Sequence, residues 1–241
     1  MRFGTGENMA ASKLDRSLIR NLMIFEKMSD EDLDNVLEMA SVRQLPEGGS
    51  AFSQGEPATE FFCLLNGRLK VVQTTPDGQQ VVVRHVNPGD IFGIAKAMRR
   101  TEYPATAVAI VESLALAWNS NQWEAFIARS PTLALNALQT VGQRLQDAHS
   151  RIRELSTEEV ERRVAHAVLR LVQQAGKKTE EGILIDFPVT RQDIAEMTGT
   201  TLHTVSRVMT AWEAKGLVQS SRKRVVVIDP HRLYVLAEHS D

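Results

Sequence analysis

The chain has only one cysteine, Cys63, among its 241 residues. A lone thiol forms no internal disulfide, which suits a reducing compartment. It also cannot supply the roughly four thiolates of an all-cysteine iron–sulfur cluster, so no such cluster is expected. Long apolar runs are missing too. No stretch approaches the ~20 residues of a spanning helix, and Met1 to Arg20 lacks the apolar core of a signal peptide. These absences predict a cytoplasmic protein with no membrane partner. Catalytic signatures are absent as well: no P-loop, no G-x-S-x-G, no H-E-x-x-H and no dinucleotide fingerprint. The six histidines and one cysteine are scattered without ligand spacing, so an enzyme is not expected. Nor is there an excess of positive charge, the formal net charge being −2. Any nucleic-acid surface must therefore be local. What the chain does have is an ordinary globular composition, 43% hydrophobic and 24% charged, with enough length for one large or two medium domains.

Three textures follow one another. Leu22 to Ala40 is helical in pattern, with Ser29 and Asp32 spaced as a capping box. From Val42 to Trp118 apolar runs are short and punctuated by glycine. Asp77-Gly78 lies between two such runs and marks a hairpin. Many short strands with frequent turns predict a sandwich or jelly roll. Beyond Asn119 the texture is helical again. Ala134, Leu138, Val141, Leu145, Ala148, Ile152 and Leu155 step alternately by four and three. A narrow a/d seam of this kind, with polar residues between, predicts pairing with a second copy rather than packing on a broad core. A polar hinge is expected at Ser156-Thr157-Glu158-Glu159, then a helix over Val160–Gln174 and a loop with a short strand over Ala175–Asp186.

Pro188 to Arg207 reads PVTRQDIAEMTGTTLHTVSR. Thr190 is placed to cap one helix with Asp193 reaching back, and Ile194, Ala195 and Met197 supply its inner face. Gly199 sits where two short helices turn sharply. Thr200 or Thr201 caps the next helix, whose Val205, Val208, Met209 and Trp212 point inward. Leu202, His203, Ser206 and Arg207 are left facing out near its start, where such a motif enters the major groove. Arg207 suits a guanine edge, and Thr204 and Ser206 suit a base or phosphate. Two strands around Arg222, Lys223 and Arg224 predict a basic wing. Between Pro188 and Arg224 six bases face three acids, so positive charge is concentrated where phosphates would lie. The expected DNA-contacting set is Thr190, Arg191, Thr201, Leu202, His203, Thr204, Ser206, Arg207, Arg222, Lys223 and Arg224.

The chain resembles the CRP/FNR family of bacterial transcription regulators along nearly its whole length. The resemblance rests on Pro46-Glu47-Gly48, Phe52 with Gly55-Glu56, Gly67 with Lys70-Val71, Gly89-Asp90 with Phe92-Gly93, Thr190 to Ala195 and Thr204 to Arg207. It implies an α+β fold: an N-terminal cyclic-nucleotide-binding-like β-roll (jelly roll), a long dimerisation helix and a C-terminal winged helix-turn-helix. The corresponding ranges are a tail over 1–20, the roll over 21–130, the helix over 131–157 and the DNA-binding domain over 158–241. It implies a homodimer on double-stranded, palindromic DNA, with RNA polymerase as a further partner.

Two departures matter. The family's cyclic-nucleotide cassette carries Glu after the glycine and an Arg-Ser/Thr pair further on. Here Ile94 follows Gly93, and the later segment reads Tyr103-Pro104-Ala105-Thr106. An unpaired buried phosphate is costly, so cyclic AMP is not expected. In the recognition helix, His203 replaces the Glu that accepts from cytosine in branches reading TTGA-type half-sites, so one base of the half-site is expected to differ.

The effector is left open between several readings. The segment Tyr103 to Ala107 resembles the nitric-oxide-responsive, haem-bearing branch, and His85, Cys63 and Met98 are the candidate axial ligands. A thiol switch at Cys63, a small organic ligand, or no ligand with control by protein level are the alternatives. The candidate effector pocket is Phe92, Gly93, Ile94, Ala95, Tyr103, Pro104 and Ala105.

Overall fold

The computed structural model describes residues 16–129 and 131–238. Most of the N-terminal tail expected at 1–20 lies outside the described residues. Short helical pieces open the fold: α1 (Ser17–Arg20), a 3-10 turn (Met23–Phe25) and α2 (Asp30–Glu38). The helical texture of this region is thus broken in three, with Ser29 capping α2 by accepting from the Asp32 amide.

Eight strands follow: β1 (Ser41–Leu45), β2 (Ser50–Phe52), β3 (Glu60–Asn66), β4 (Leu69–Thr74), β5 (Gln80–Val86), β6 (Ile91–Phe92), β7 (Thr106–Ala109) and β8 (Ser113–Asn119). They form two four-stranded antiparallel sheets, ordered β1-β8-β3-β6 and β2-β7-β4-β5. The hairpin marked by Asp77-Gly78 joins β4 to β5, with Gly78 at φ 83°. β3 shows why this sequence makes a two-faced layer. Successive side chains on a strand point to opposite faces. Phe62 and Leu64 enter the space between the sheets, while Phe61 and Cys63 face a second core under the helices with Phe25, Leu33 and Trp118. The buried Trp118 ring donates its Nε1 hydrogen to the Val36 carbonyl at 2.9 Å.

Helix α3 (Trp123–Arg129) leads into α4 (Pro131–Thr157), a rod about 40 Å long at 1.5 Å per residue. One side of its first half rides on the β-roll. Leu133 is buried, Asn136 donates to the Ile24 and Glu26 carbonyls, and Arg144 donates to the Ile91 carbonyl at 2.6 Å. The other side shows Leu138, Val141, Leu145, Ile152 and Leu155 to solvent, with Leu138 67% exposed.

The expected hinge is narrower than Ser156–Glu159. Ser156 and Thr157 are still helical, their hydroxyls donating back to the Ile152 and Arg153 carbonyls, and the break falls at Glu158-Glu159. Beyond it lie α5 (Val160–Ala175), a hairpin of β9 (Gly176–Thr179) and β10 (Gly182–Ile185), α6 (Arg191–Thr198), α7 (Leu202–Ala214), β11 (Val218–Ser221), β12 (Arg224–Val227) and α8 (Pro230–Glu238). The loop with a short strand expected at Ala175–Asp186 is therefore a hairpin with two strands rather than one, and β10 also pairs with β12. Among the described residues no helix is long and apolar enough to cross a membrane.

Candidate nucleic-acid interface

Helices α6 and α7 meet at Gly199, which takes the left-handed conformation (φ 61°, ψ 40°). That region is cheap only for glycine. A Cβ there would also stand 3.3 Å from Leu155 Cδ2 of α4. α6 begins in a complete capping box: Thr190 accepts from the Asp193 amide at 3.1 Å, and Asp193 accepts from the Thr190 amide at 2.9 Å. Thr201, not Thr200, caps α7 by accepting from the Thr204 amide at 3.2 Å.

Val205, Val208, Met209 and Trp212 are buried beneath α7, and the Trp212 Nε1 donates to Glu161 of α5 at 2.8 Å. The opposite face exposes Leu202, His203 and Arg207 to solvent, with Thr204 and Ser206 half-buried at its edge. Thr210, one turn beyond Arg207, extends that exposed face. The sequence reading passed over it, although its helical spacing from His203 and Arg207 marks it. The arrangement is a rigid helix anchored by an aromatic and displaying hydroxyl, imidazole and guanidinium groups. It can offer donors to base edges without reorganising.

The remaining bases are less free than expected. Arg191 is tied into the domain, donating to Glu213 at 3.2 Å and Ser220 at 2.9 Å, and so fastens α6 to the wing. Arg224 pairs with Glu181 at 2.9 Å in the β9–β10 turn. Lys223, at the wing tip, pairs with Glu47 of the β-roll at 3.2 Å. Among the described residues, Arg207 and Arg222 are in no ion pair. The local excess of base over acid is thus partly spent in folding the domain.

The DNA-binding domain also docks on the outer face of β4 and β5. Lys70 Nζ meets Asp193 at 2.8 Å, the Arg68 guanidinium lies 4.0 Å over the Phe187 ring, and Val72 and Val82 join the domain's core. Burial pushes the Asp193 carboxyl up. Hydrogen bonds from Lys70 and Thr190 and the Lys70 charge outweigh it, so its pKa lies below the ordinary aspartate value. Lys70 and Glu47 were not foreseen from the sequence.

The candidate effector residues do not form one pocket. Phe92, Ala95 and Tyr103 are buried between the sheets and Ala105 is buried as well, but Ile94 packs toward the helical layer and Pro104 is exposed. The space itself holds rings. Phe52 stacks on Tyr103 at 3.9 Å and on Phe62 at 5.8 Å, and Phe62 on Phe92 at 5.1 Å. The Tyr103 hydroxyl donates to the Glu60 carbonyl and accepts from its amide. Gly93 sits against this stack, where a Cβ would come within 3.0 Å of Phe52 and Phe62.

The three candidate haem ligands are likewise dispersed, and they do not fit a haem site. His85 lies against Phe187, 5.7 Å between ring centres. Cys63 is sealed under the helices, where burial pushes its thiol pKa up. Met98 is exposed on a 3-10 turn (Lys96–Met98).

A roll joined through a long helix to a winged helix-turn-helix defines a DNA-binding transcription regulator, and comparison with known proteins agrees. Residues 42–130 match the cyclic nucleotide-binding domain model, and residues 162–236 match the Crp-like helix-turn-helix domain model. A cyclic AMP receptor protein of Thermus thermophilus is 30% identical over 81% of this chain and 88% of its own length. The transcriptional activator protein FnrA of Stutzerimonas stutzeri is 24% identical over 87% and 85%. FixK2 from Bradyrhizobium japonicum superposes with a TM-score of 0.72 at 20% identity, covering 84% of this chain and 99% of that one. The chain belongs to the CRP/FNR family, whose members are transcription regulators and not enzymes.

Proposed function

We propose that the protein acts in the cytoplasm as a homodimer reading a palindromic operator. Its subunits pair along the exposed α4 seam of Ala134, Leu138, Val141, Leu145, Ala148, Ile152 and Leu155. The carrying observation is the outward face of α7, where His203, Ser206 and Arg207 stand over a buried Val205-Met209-Trp212 base. Pairing along α4 sets two such helices about 34 Å apart, one turn of duplex. Arg207 grips a guanine edge, Leu202 meets a thymine methyl, and Thr201 with Arg222 takes phosphate. His203 replaces the acceptor that would read cytosine, so its base preference departs from a TTGA half-site.

In this reading the docked arrangement is the resting state, because Glu47 holds the wing-tip lysine and Lys70 holds the cap of α6. A signal acting on the β-roll shifts the balance toward undocked domains that turn about Glu158-Glu159. The ring stack around Phe52 leaves cyclic AMP out of this scheme, although the Thermus relative carries that ligand in its name. RNA polymerase is the further partner once operator DNA is bound.

The test is operator binding by fluorescence anisotropy against a library of family-type palindromes. Arg207→Ala should weaken the selected site by about 1–3 kcal/mol, with the melting temperature unchanged. Unaltered sequence-selective binding would remove α7 from the interface.

A further inference from the structure

A cleft of about 520 Å³ opens on the outside of the β-roll, away from the ring-filled interior. One wall is Pro57-Ala58-Thr59, between β2 and β3. The other is the stretch from Lys96 to Thr101, and the floor is Asn119 to Glu124, where β8 runs into α3. That volume matches the size range of small-molecule sites.

The charges in the cleft are lopsided. Lys96, Arg99 and Arg100 border it against the single acid Glu124. Lys96 donates to the Asn121 side chain, but Arg99 and Arg100 make no ion pair or side-chain hydrogen bond among the described residues. Two arginines neighbouring in sequence therefore line an open concavity with no counter-anion among the described residues. The second observation is Ser120. Its residue is 4% exposed, and its hydroxyl is buried at the cleft without a hydrogen-bond partner. Buried hydroxyls in native folds are nearly always satisfied, so this one leaves a donor and an acceptor in the cleft wall for a water or a ligand to take.

We propose that this cleft binds a phosphorylated sugar. A phosphoryl group carries close to two negative charges and several acceptor oxygens, which suits paired guanidinium forks beside an ammonium. Besides its charges the lining carries the hydroxyls and amides of Thr59, Thr101, Asn119, Ser120 and Asn121, together with the apolar Pro57 and Ala58. No aromatic ring lines it, so nothing there stacks on a nucleobase, whereas the hydroxyls and amides offer donors and acceptors to a sugar and the apolar wall suits its ring face. The concavity favours such a ligand over an acidic protein surface. The site is separate from the α7 interface and does not rest on how DNA is read.

Isothermal titration of the full-length protein tests this, using fructose 1,6-bisphosphate, glucose 6-phosphate, glucose and inorganic phosphate as probes. The expected result is binding of the sugar phosphates, weaker binding of inorganic phosphate and none of glucose. The Arg99→Ala, Arg100→Ala double variant should lose about tenfold or more, since charge-assisted hydrogen bonds are the strong ones. Ser120→Ala should weaken binding while leaving the melting temperature unchanged. Both variants should bind operator DNA as the parent does, which separates this site's failure from that of the DNA interface. The proposal is overturned if no sugar phosphate binds at millimolar concentration. It is overturned equally if the double variant binds as well as the parent, or if inorganic phosphate binds as tightly as its esters.

Discussion

The two folded halves of this chain use burial in opposite ways. In the DNA-binding domain a buried base of Val205, Met209 and Trp212 serves to hold polar groups outward. In the β-roll, which matches the cyclic nucleotide-binding domain model, Phe52, Phe62, Phe92 and Tyr103 stack on one another and fill the space between the sheets with rings. A reading surface depends on what is displayed, and a ligand chamber depends on what is missing. The first survives divergence as a pattern of residues. The second is lost when a few rings lean together.

The comparison can be broken most forcefully at its two anchors. Phe52→Ala and Trp212→Ala should each cost about 3–5 kcal/mol in denaturant unfolding, since each empties a tightly packed aromatic site. Phe52→Ala should spare operator affinity in the folded protein. Trp212→Ala should not, and equal loss of DNA binding in both would show that the halves are not independent. Arg207→Ala comes next, with its expected loss confined to binding.

Smaller effects sharpen the contact between the halves. Glu47→Gln releases Lys223 and should tighten operator binding by less than about fivefold, the scale of an exposed ion pair, as read by anisotropy. Cys63 should resist a thiol-reactive dye until the protein unfolds, because burial raises its pKa and hides it; fast labelling of native protein would reopen the thiol switch.

The pH effect at Asp193 is smallest. Its folded pKa is lowered, so its stabilising contribution is fully present above the ordinary aspartate value near 4 and is lost as pH falls below that. Thermal melts should show the parent losing more stability than Asp193→Asn in that acid range only.

Local features of the fold were legible. The caps at Thr190 and Thr201, the turn at Gly199 and the inward stripe of α7 each depend on residues a few positions apart, so spacing reveals them. The exposed apolar stripe on α4 is readable for the same reason, as seven-residue periodicity. Contacts between distant segments were not. Lys70 meets Asp193 across 123 positions and Lys223 meets Glu47 across 176, and no local pattern records either pairing. The ring stack also escaped notice, because Phe52, Phe62, Phe92 and Tyr103 read singly as strand residues. Motif position assigns Ile94 and Pro104 to a pocket, but Ile94 lies past the end of β6 and packs toward the helical layer, and Pro104 is exposed in a loop.

The contact between Leu155 and Gly199 gives the rod a mechanical meaning. The last apolar knob of the long helix bears directly on the pivot of the reading motif. In a dimer paired along α4 as proposed, a slip or twist of the rods has this contact, besides the hinge, through which to act on that pivot. A Cβ added at position 199 would press on Leu155 Cδ2 at 3.3 Å and hold a left-handed φ that only glycine adopts cheaply, so this residue sets how closely the end of α4 approaches the turn before α7.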